Sequence, residues 1–257
     1  MQRWLVALAI TAGCGSVKDN PVVDGPPPEL LDGSLRQGCV MALHMDEAAW
    51  SGAAAEVHDA CGTNPGTVKG SGNTVPNGAH DRGGSFSGTA CIDVPNAASL
   101  HGTTGLTLSA WILPTALNGA DSNGVISKRN DIANQAEYSL YVWTGNHVWV
   151  DLDGENDRFP GTAALANNVW AQLTLVYDGA RPEAQRARVY VNGSLDVTMP
   201  ETSATLTPYT SALHVGCMPA PGAMTQQNFL GEIDEVVIWN RALTDAEIAR
   251  WYTVSKP

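Results

Sequence analysis

From Cys39 onward, apolar residues recur at every second position in short runs, and Gly, Asn, Asp and Pro break the runs. Leu106-Thr107-Leu108-Ser109-Ala110-Trp111-Ile112 alternates cleanly, and so does Leu173-Thr174-Leu175-Val176-Tyr177, which stops at Asp178-Gly179. A period of two places one face of a strand in a core. Residues 40–45, 84–88, 91–95, 213–216 and 232–239 read as further strands. Arg188-Val189-Tyr190-Val191 runs into Asn192-Gly193 and resumes at Ser194-Leu195, a hairpin signal because both turn residues accept a positive φ. Short strands at this spacing predict a β-sandwich. One helix closes the chain. Thr244 and Glu247 form a capping box, Leu243 and Ile248 flank it as a hydrophobic staple, and the helix should run from Asp245 to about Tyr252.

The stretch 137–153 carries a finer pattern. Tyr138, Leu140 and Val142 alternate with Ser139, Tyr141 and Trp143; Val148, Val150 and Leu152 alternate with Trp149 and Asp151. For both aliphatic sets to share a core, residue 142 must oppose 148, which requires the odd loop Thr144-Gly145-Asn146. Tyr141 then pairs with Trp149 on the outer face, with Trp143, Asp151 and Asp153 on the same side. Such a face suits a sugar: a ring stacks on the aromatics and its hydroxyls bond to the carboxylates. Asn130, Asp131, Asn156 and Asp157 are the expected rim. The plainer reading is cross-strand aromatic pairing under a covering loop.

The N-terminus changes the setting. Arg3 precedes the apolar run Trp4-Leu5-Val6-Ala7-Leu8-Ala9-Ile10, which is too short to span a bilayer, and Thr11-Ala12-Gly13 leads to Cys14. Residues 1–13 read as a signal peptide ending in a lipobox-like site, although Thr11 stands where Leu is usual. Acylated Cys14 would then anchor an exported bacterial envelope protein, of the outer-membrane lipoprotein kind. Residues 14–37, with Gly25-Pro26-Pro27-Pro28, read as an extended tether, and 38–257 as one domain. Export makes Cys39, Cys61, Cys91 and Cys217 a framework of two disulfides. Three pairings exist; Cys61 with Cys91 is favoured because both flank turn-rich segments. No C-x-x-C pair points to zinc.

The formal charge is −12 over 257 residues. Phosphate backbones repel such a chain, which excludes nucleic acid as a partner. Calcium, cationic partners and neutral sugars remain. Asp46 ends the first strand, Asp59 lies in a turn, and Asp234 and Glu235 lie in the last strand. These four could converge on calcium if the first and last strands are neighbours. The plainer reading is solvated strand-end acids.

An ordered series of segments carries a family resemblance: Phe86-Ser87-Gly88, Leu108-Ser109-Ala110-Trp111-Ile112, Trp170, Val176-Tyr177-Asp178-Gly179, Val189-Tyr190-Val191-Asn192-Gly193, Val215-Gly216, and Gly231-Glu232-Ile233-Asp234-Glu235-Val236-Val237-Ile238-Trp239-Asn240-Arg241-Ala242-Leu243. Together they resemble a laminin G-like domain of the concanavalin A-like lectin and glucanase superfamily, over roughly residues 38–255. The resemblance implies an all-β jelly-roll sandwich of two antiparallel sheets. It also implies a module that binds carbohydrate or a cell-surface protein, often with calcium. Glycanases of this superfamily carry Glu-x-Asp-x-Glu, or the same motif with one more residue before the last Glu. Here Glu232-Ile233-Asp234 is followed by Val236 and Val237 where the second Glu belongs, so the acid/base is missing. The expectation is therefore a non-catalytic binding module held at the membrane only by its lipid, with a structural envelope component as the rival and a glycoside hydrolase as a lesser alternative.

Overall fold

A computed structural model describes residues 30–130, 135–154, 160–219 and 227–257. The chain opens with a helical turn, α1 (Gly33–Arg36), and continues as β1 (Cys39–Leu43), β2 (Thr67–Lys69), β3 (Asn73–Val75), β4 (Gly83–Phe86) and β5 (Cys91–Val94). Long strands follow: β6 (Gly105–Pro114), β7 (Asn123–Arg129), β8 (Ala136–Trp143), β9 (His147–Leu152) and β10 (Ala171–Asp178). The chain closes with β11 (Ala187–Val191), β12 (Ser194–Met199), β13 (Leu213–Val215), β14 (Cys217–Met218), β15 (Gln227–Asn228), β16 (Gly231–Trp239) and α2 (Asp245–Ser255).

Two antiparallel sheets face each other. The first has the order β12-β11-β10-β6-β16-β4-β3, with β1 also paired to β16; the second has the order β2-β5-β13-β7-β8-β9. Their facing sides form one core, in which Leu108, Ile112, Leu173 and Ile233 of the first sheet meet Ile92, Ile126, Leu140 and Val150 of the second. The alternation read from the sequence thus does place one face of each strand inside.

The other face of the first sheet is also covered. Leu31, Leu35, Val237, Trp239, Leu243, Ile248 and Trp251 form a second apolar cluster there. Trp239 and Trp251 meet edge to face at 5.8 Å. Three indoles find acceptors: Trp239 Nε1 donates to Leu35 O, Trp251 Nε1 to Ser109 Oγ and Trp111 Nε1 to Ser255 Oγ. The capping box is closed in both directions between Thr244 and Glu247.

Two expectations are corrected. The extended tether was placed at 14–37, yet Leu31 and Leu35 are buried beneath α2, so the folded unit reaches back at least to residue 30. An apolar i, i+4 pair flanked by polar residues carries too little periodicity to signal this. The bridges join Cys39 to Cys61 and Cys91 to Cys217, not Cys61 to Cys91. Asp59 accepts from Ala42 N and Cys61 N, which brings the Cys61 turn against β1. β5 and β13 are neighbours with Ile92 opposite Val215, which brings Cys91 beside Cys217. Both proximities are tertiary.

Mass mapping after non-reducing digestion should therefore yield Cys39–Cys61 and Cys91–Cys217 peptides. Replacing Cys91 and Cys217 together by Ser should lower stability by about 2–5 kcal/mol. A Cys61–Cys91 peptide from the folded protein would contradict this topology.

Candidate functional site

The β8–β9 hairpin has the register that the alternation requires. Val142 opposes Val148, Tyr141 opposes Trp149 and Leu140 opposes Val150. Gly145 (φ 72°) and Asn146 (φ 61°) supply the left-handed conformations of the three-residue loop. Tyr138, Leu140, Val142, Val148, Val150 and Leu152 all enter the core. Trp143 and Trp149 therefore share the outer face, with ring centroids 5.0 Å apart.

That face is not an open platform. Tyr141 is 1% exposed and Asp151 is fully buried. Arg129 Nη1 donates to Asp151 Oδ2 at 2.9 Å and also approaches the Met218 sulfur. The β14–β15 ribbon passes directly over β7: a Cβ on Gly124 would stand 2.7 Å from Met218 N. Tyr141 and Asp151 are thus part of a covered polar layer. Asp153 accepts from Ser203 Oγ and Thr207 N and holds the 203–207 segment in place. Asn130 donates to Gln135 Oε1. Asp131, Asn156 and Asp157 lie outside the described residues, as does Cys14.

What remains accessible is the rim. Beside Trp143 opens a cleft of about 650 Å³, walled by the 116–123 segment on one side and by Gln227, Asn228 and Leu230 on the other. Local geometry makes the wall rigid. Asn118 Oδ1 accepts from Ala120 N and Asp121 N, and Asn118 Nδ2 donates to Asp121 Oδ2 at 2.6 Å. Trp143 Nε1 donates to Ala120 O at 2.8 Å, which locks the indole against this turn. Asn123 Nδ2 donates to Asp121 O. On the opposite wall, Gln227 Oε1 and Asn228 Oδ1 are buried without a hydrogen-bond partner. Both oxygens are closed off from solvent, so a ligand in the cleft does not reach them in this conformation. Leu230 is 37% exposed at the mouth. Of the residues lining this cleft, Trp143 is the one that the alternation in the sequence singles out. A signal was present in the dense Asn118-Gly119 and Asp121-Ser122-Asn123-Gly124 cluster, but nothing in the sequence joined it to Trp143 or to Gln227.

The acids expected to bind calcium do not form one ligand set. β1 and β16 are neighbours, with Leu43 opposite Val236. A bulge at Asp234–Val237 puts Glu235 at φ 48°. Yet Asp234 is buried and accepts from His80 N and Glu235 N. Glu235 bonds to His44 Nδ1 at 2.8 Å, and Asp46 accepts from Arg82 N. Asp59 is occupied by the backbone N–H groups of Ala42, Cys61 and Asn64. Among the described residues, the three-residue grouping of His, Cys, Asp or Glu donor atoms is Cys91, His214 and Cys217, and its two sulfurs form a disulfide. The partial glycanase motif fares no better. Asp234 is buried, and Val236 and Val237, where the second carboxylate belongs, are both core residues.

Burial lifts the Asp234 carboxyl well above the ordinary carboxylate range, and the Glu235 charge adds to the rise. Burial also lifts Glu235 and Asp46. For His44, burial alone works downward, but the hydrogen bond to Glu235 and that carboxylate's charge raise the net value.

A model of the concanavalin A-like lectin/glucanases superfamily matches residues 86–249. No curated protein matches the sequence. Among solved structures, domain 4 of AbnA, an extracellular arabinanase from Geobacillus stearothermophilus in complex with arabinotriose, is 18% identical with a TM-score of 0.59. That match covers 83% of this chain and 98% of that one. The binding domain of Paraclostridial Mosquitocidal Protein 1 is 15% identical with a TM-score of 0.62, over 84% of this chain and 52% of the toxin domain. The binding domain of botulinum neurotoxin DC in complex with SialylT is 14% identical with a TM-score of 0.61, over 86% and 52%. The chain thus spans about half the length of these toxin domains. At such identities the likeness is one of fold.

The acid cluster predicts a pH dependence. His44, Asp46, Asp234 and Glu235 all hold their protons more tightly folded than unfolded. The carboxyl contributions are complete below the unfolded carboxylate range and decline as pH rises toward the raised folded values; the His44 contribution is lost as pH rises through its raised value. The melting temperature should therefore rise by a few degrees as pH falls from about 8 to about 5, and Asp234→Asn should flatten the slope. Differential scanning fluorimetry across that window checks it; a melting temperature that falls on acidification would refute it.

Proposed function

The chain belongs to the laminin G-like family of the concanavalin A-like lectin/glucanases superfamily, and from that premise we propose that it is a non-catalytic module that binds carbohydrate in the cleft beside Trp143. The observation that carries this reading is a half-buried indole beside the exposed Asn118 and Asp121 side chains in a cleft of about 650 Å³. A sugar ring offers C–H groups to an aromatic face and hydroxyls to the amide and carboxylate of Asn118 and Asp121, so one ligand engages both the indole and the turn. The arabinanase domain in complex with arabinotriose and the toxin domain in complex with SialylT support a glycan as the ligand class. Glycoside hydrolysis is disfavoured by the valines at the second carboxylate position.

We further propose that the module is exported and held on the bacterial envelope by acylated Cys14. The Arg3 n-region, the short apolar run and the small residues before Cys14 support this. So do the two disulfides, which belong in an oxidising compartment.

Affinity electrophoresis through gels containing polysaccharide tests the binding. The wild-type protein should be retarded by at least one neutral polysaccharide, and Trp143→Ala should weaken that retention by roughly tenfold while keeping the β-rich circular dichroism spectrum. Retention that is indifferent to Trp143→Ala would remove the cleft from the account. Fractionation tests the anchor: Cys14→Ser should move the protein from the membrane pellet to the soluble fraction, and a variant that still sediments with membranes would end the lipid-anchor reading.

A further inference from the structure

A second place on the molecule gathers metal-binding side chains, and it stands apart from the glycan reading. β5 and β13 pair with Asp93 directly opposite His214. Ile92, Val94, Leu213 and Val215 enter the core, so Cys91, Asp93 and His214 share the outer face. Strict alternation would send Cys217 inward. Gly216 (φ 78°) breaks the alternation, at a point where a Cβ would collide with the Phe86 ring, and turns Cys217 to the side of His214. His214 Nδ1 stands 3.8 Å from the Cys91 sulfur and 2.8 Å from Asp93 Oδ1, and Asp93 Oδ1 is 3.7 Å from the same sulfur. Donor atoms of Cys91, His214 and Cys217 all lie within 4.8 Å of one another. In a tetrahedral zinc site, neighbouring ligand atoms stand about 3.3–3.8 Å apart. The His214 and Asp93 side chains are 16% and 37% exposed, which leaves one edge open as an entry path.

We propose that Cys91, Cys217, His214 and Asp93 form a zinc site that the Cys91–Cys217 disulfide masks: the oxidised protein holds the bridge, and the reduced protein holds the ion. A dithiol reductant cleaves the S–S bond by passing two electrons and two protons to the cysteines, and it leaves as a disulfide. The freed sulfurs separate to about 3.8 Å and take the ion as thiolates, releasing their two protons; zinc itself changes no oxidation state. His214 supplies a nitrogen and Asp93 an oxygen, and the ion replaces the proton that these two now share. Two thiolates and an imidazole favour zinc over calcium or magnesium. No local spacing announces this site, because its donors come in pairs from two strands remote in sequence.

The test uses the full protein, reduced with a phosphine and freed of excess reductant, then titrated with cobalt as a spectroscopic substitute and with zinc. The reduced protein should take up a single cobalt ion with a thiolate-to-metal charge-transfer band, and zinc should displace it. Zinc should also shield Cys91 and Cys217, but not Cys39 and Cys61, from alkylation read by mass mapping. The oxidised protein should show no such band. His214→Ala and Asp93→Asn should each weaken zinc affinity by about tenfold or more. A reduced, folded protein without the band, shielding of Cys39 and Cys61 instead, or an affinity indifferent to either substitution would overturn this ligand set. So would a reduced chain that loses its β-rich circular dichroism spectrum and does not regain it with zinc, since the pair would then serve only as a bridge.

Discussion

The molecule depends on the burial of β16 on both of its faces. Ile233, Val236 and Ile238 point between the two sheets, while Val237 and Trp239 point outward beneath the helices. The same strand pairs with β6 along one edge and with β1 and β4 along the other. An apolar outward face has to be covered, and covering it recruits α2, α1 and the residues before β1. The N-terminal segment therefore belongs to the fold, because Leu31 and Leu35 complete a cluster that Trp251 alone does not close.

The bulge in β16 is where this strand departs from its apolar pattern. Two consecutive acids, Asp234 and Glu235, sit inside the protein. Each is compensated locally, by backbone N–H groups and by His44 respectively. A buried carboxylate without a partner would lose its charge at considerable cost. The acid pair at the bulge is a structural joint between the first and last strands, and its raised pKa values tie stability to pH.

Function moves to the rim for a related reason. The outer face of the second sheet carries Tyr141 and Asp151, and the β14–β15 ribbon roofs it. The Arg129–Asp151 pair satisfies the charges beneath. Trp143 lies at the end of β8, where a turn rich in Asn and Asp meets it. The cleft there is built from three segments far apart in the chain.

The periods of two along 106–112, 138–142 and 173–177, the Asn192-Gly193 turn and the Thr244–Glu247 capping box were legible because each is a local rule: adjacent residues, a fixed period and a nearby partner. The hairpin register around Val142 and Val148 was legible for the same reason, since parity alone fixes it. The resemblance carried by the segments from Phe86 to Leu243 extended that reading to the whole sandwich. Tertiary structure decided the rest. Which cysteines meet, whether Tyr141 faces water, whether four acids converge, and which loops stand beside Trp143 all depend on distances between strands that are remote in sequence. Sequence determines which face of a strand is apolar, because side chains alternate along the backbone. It does not determine what covers the other face, because that cover comes from another part of the chain, held there by the net balance of burial and hydrogen bonding over the whole molecule.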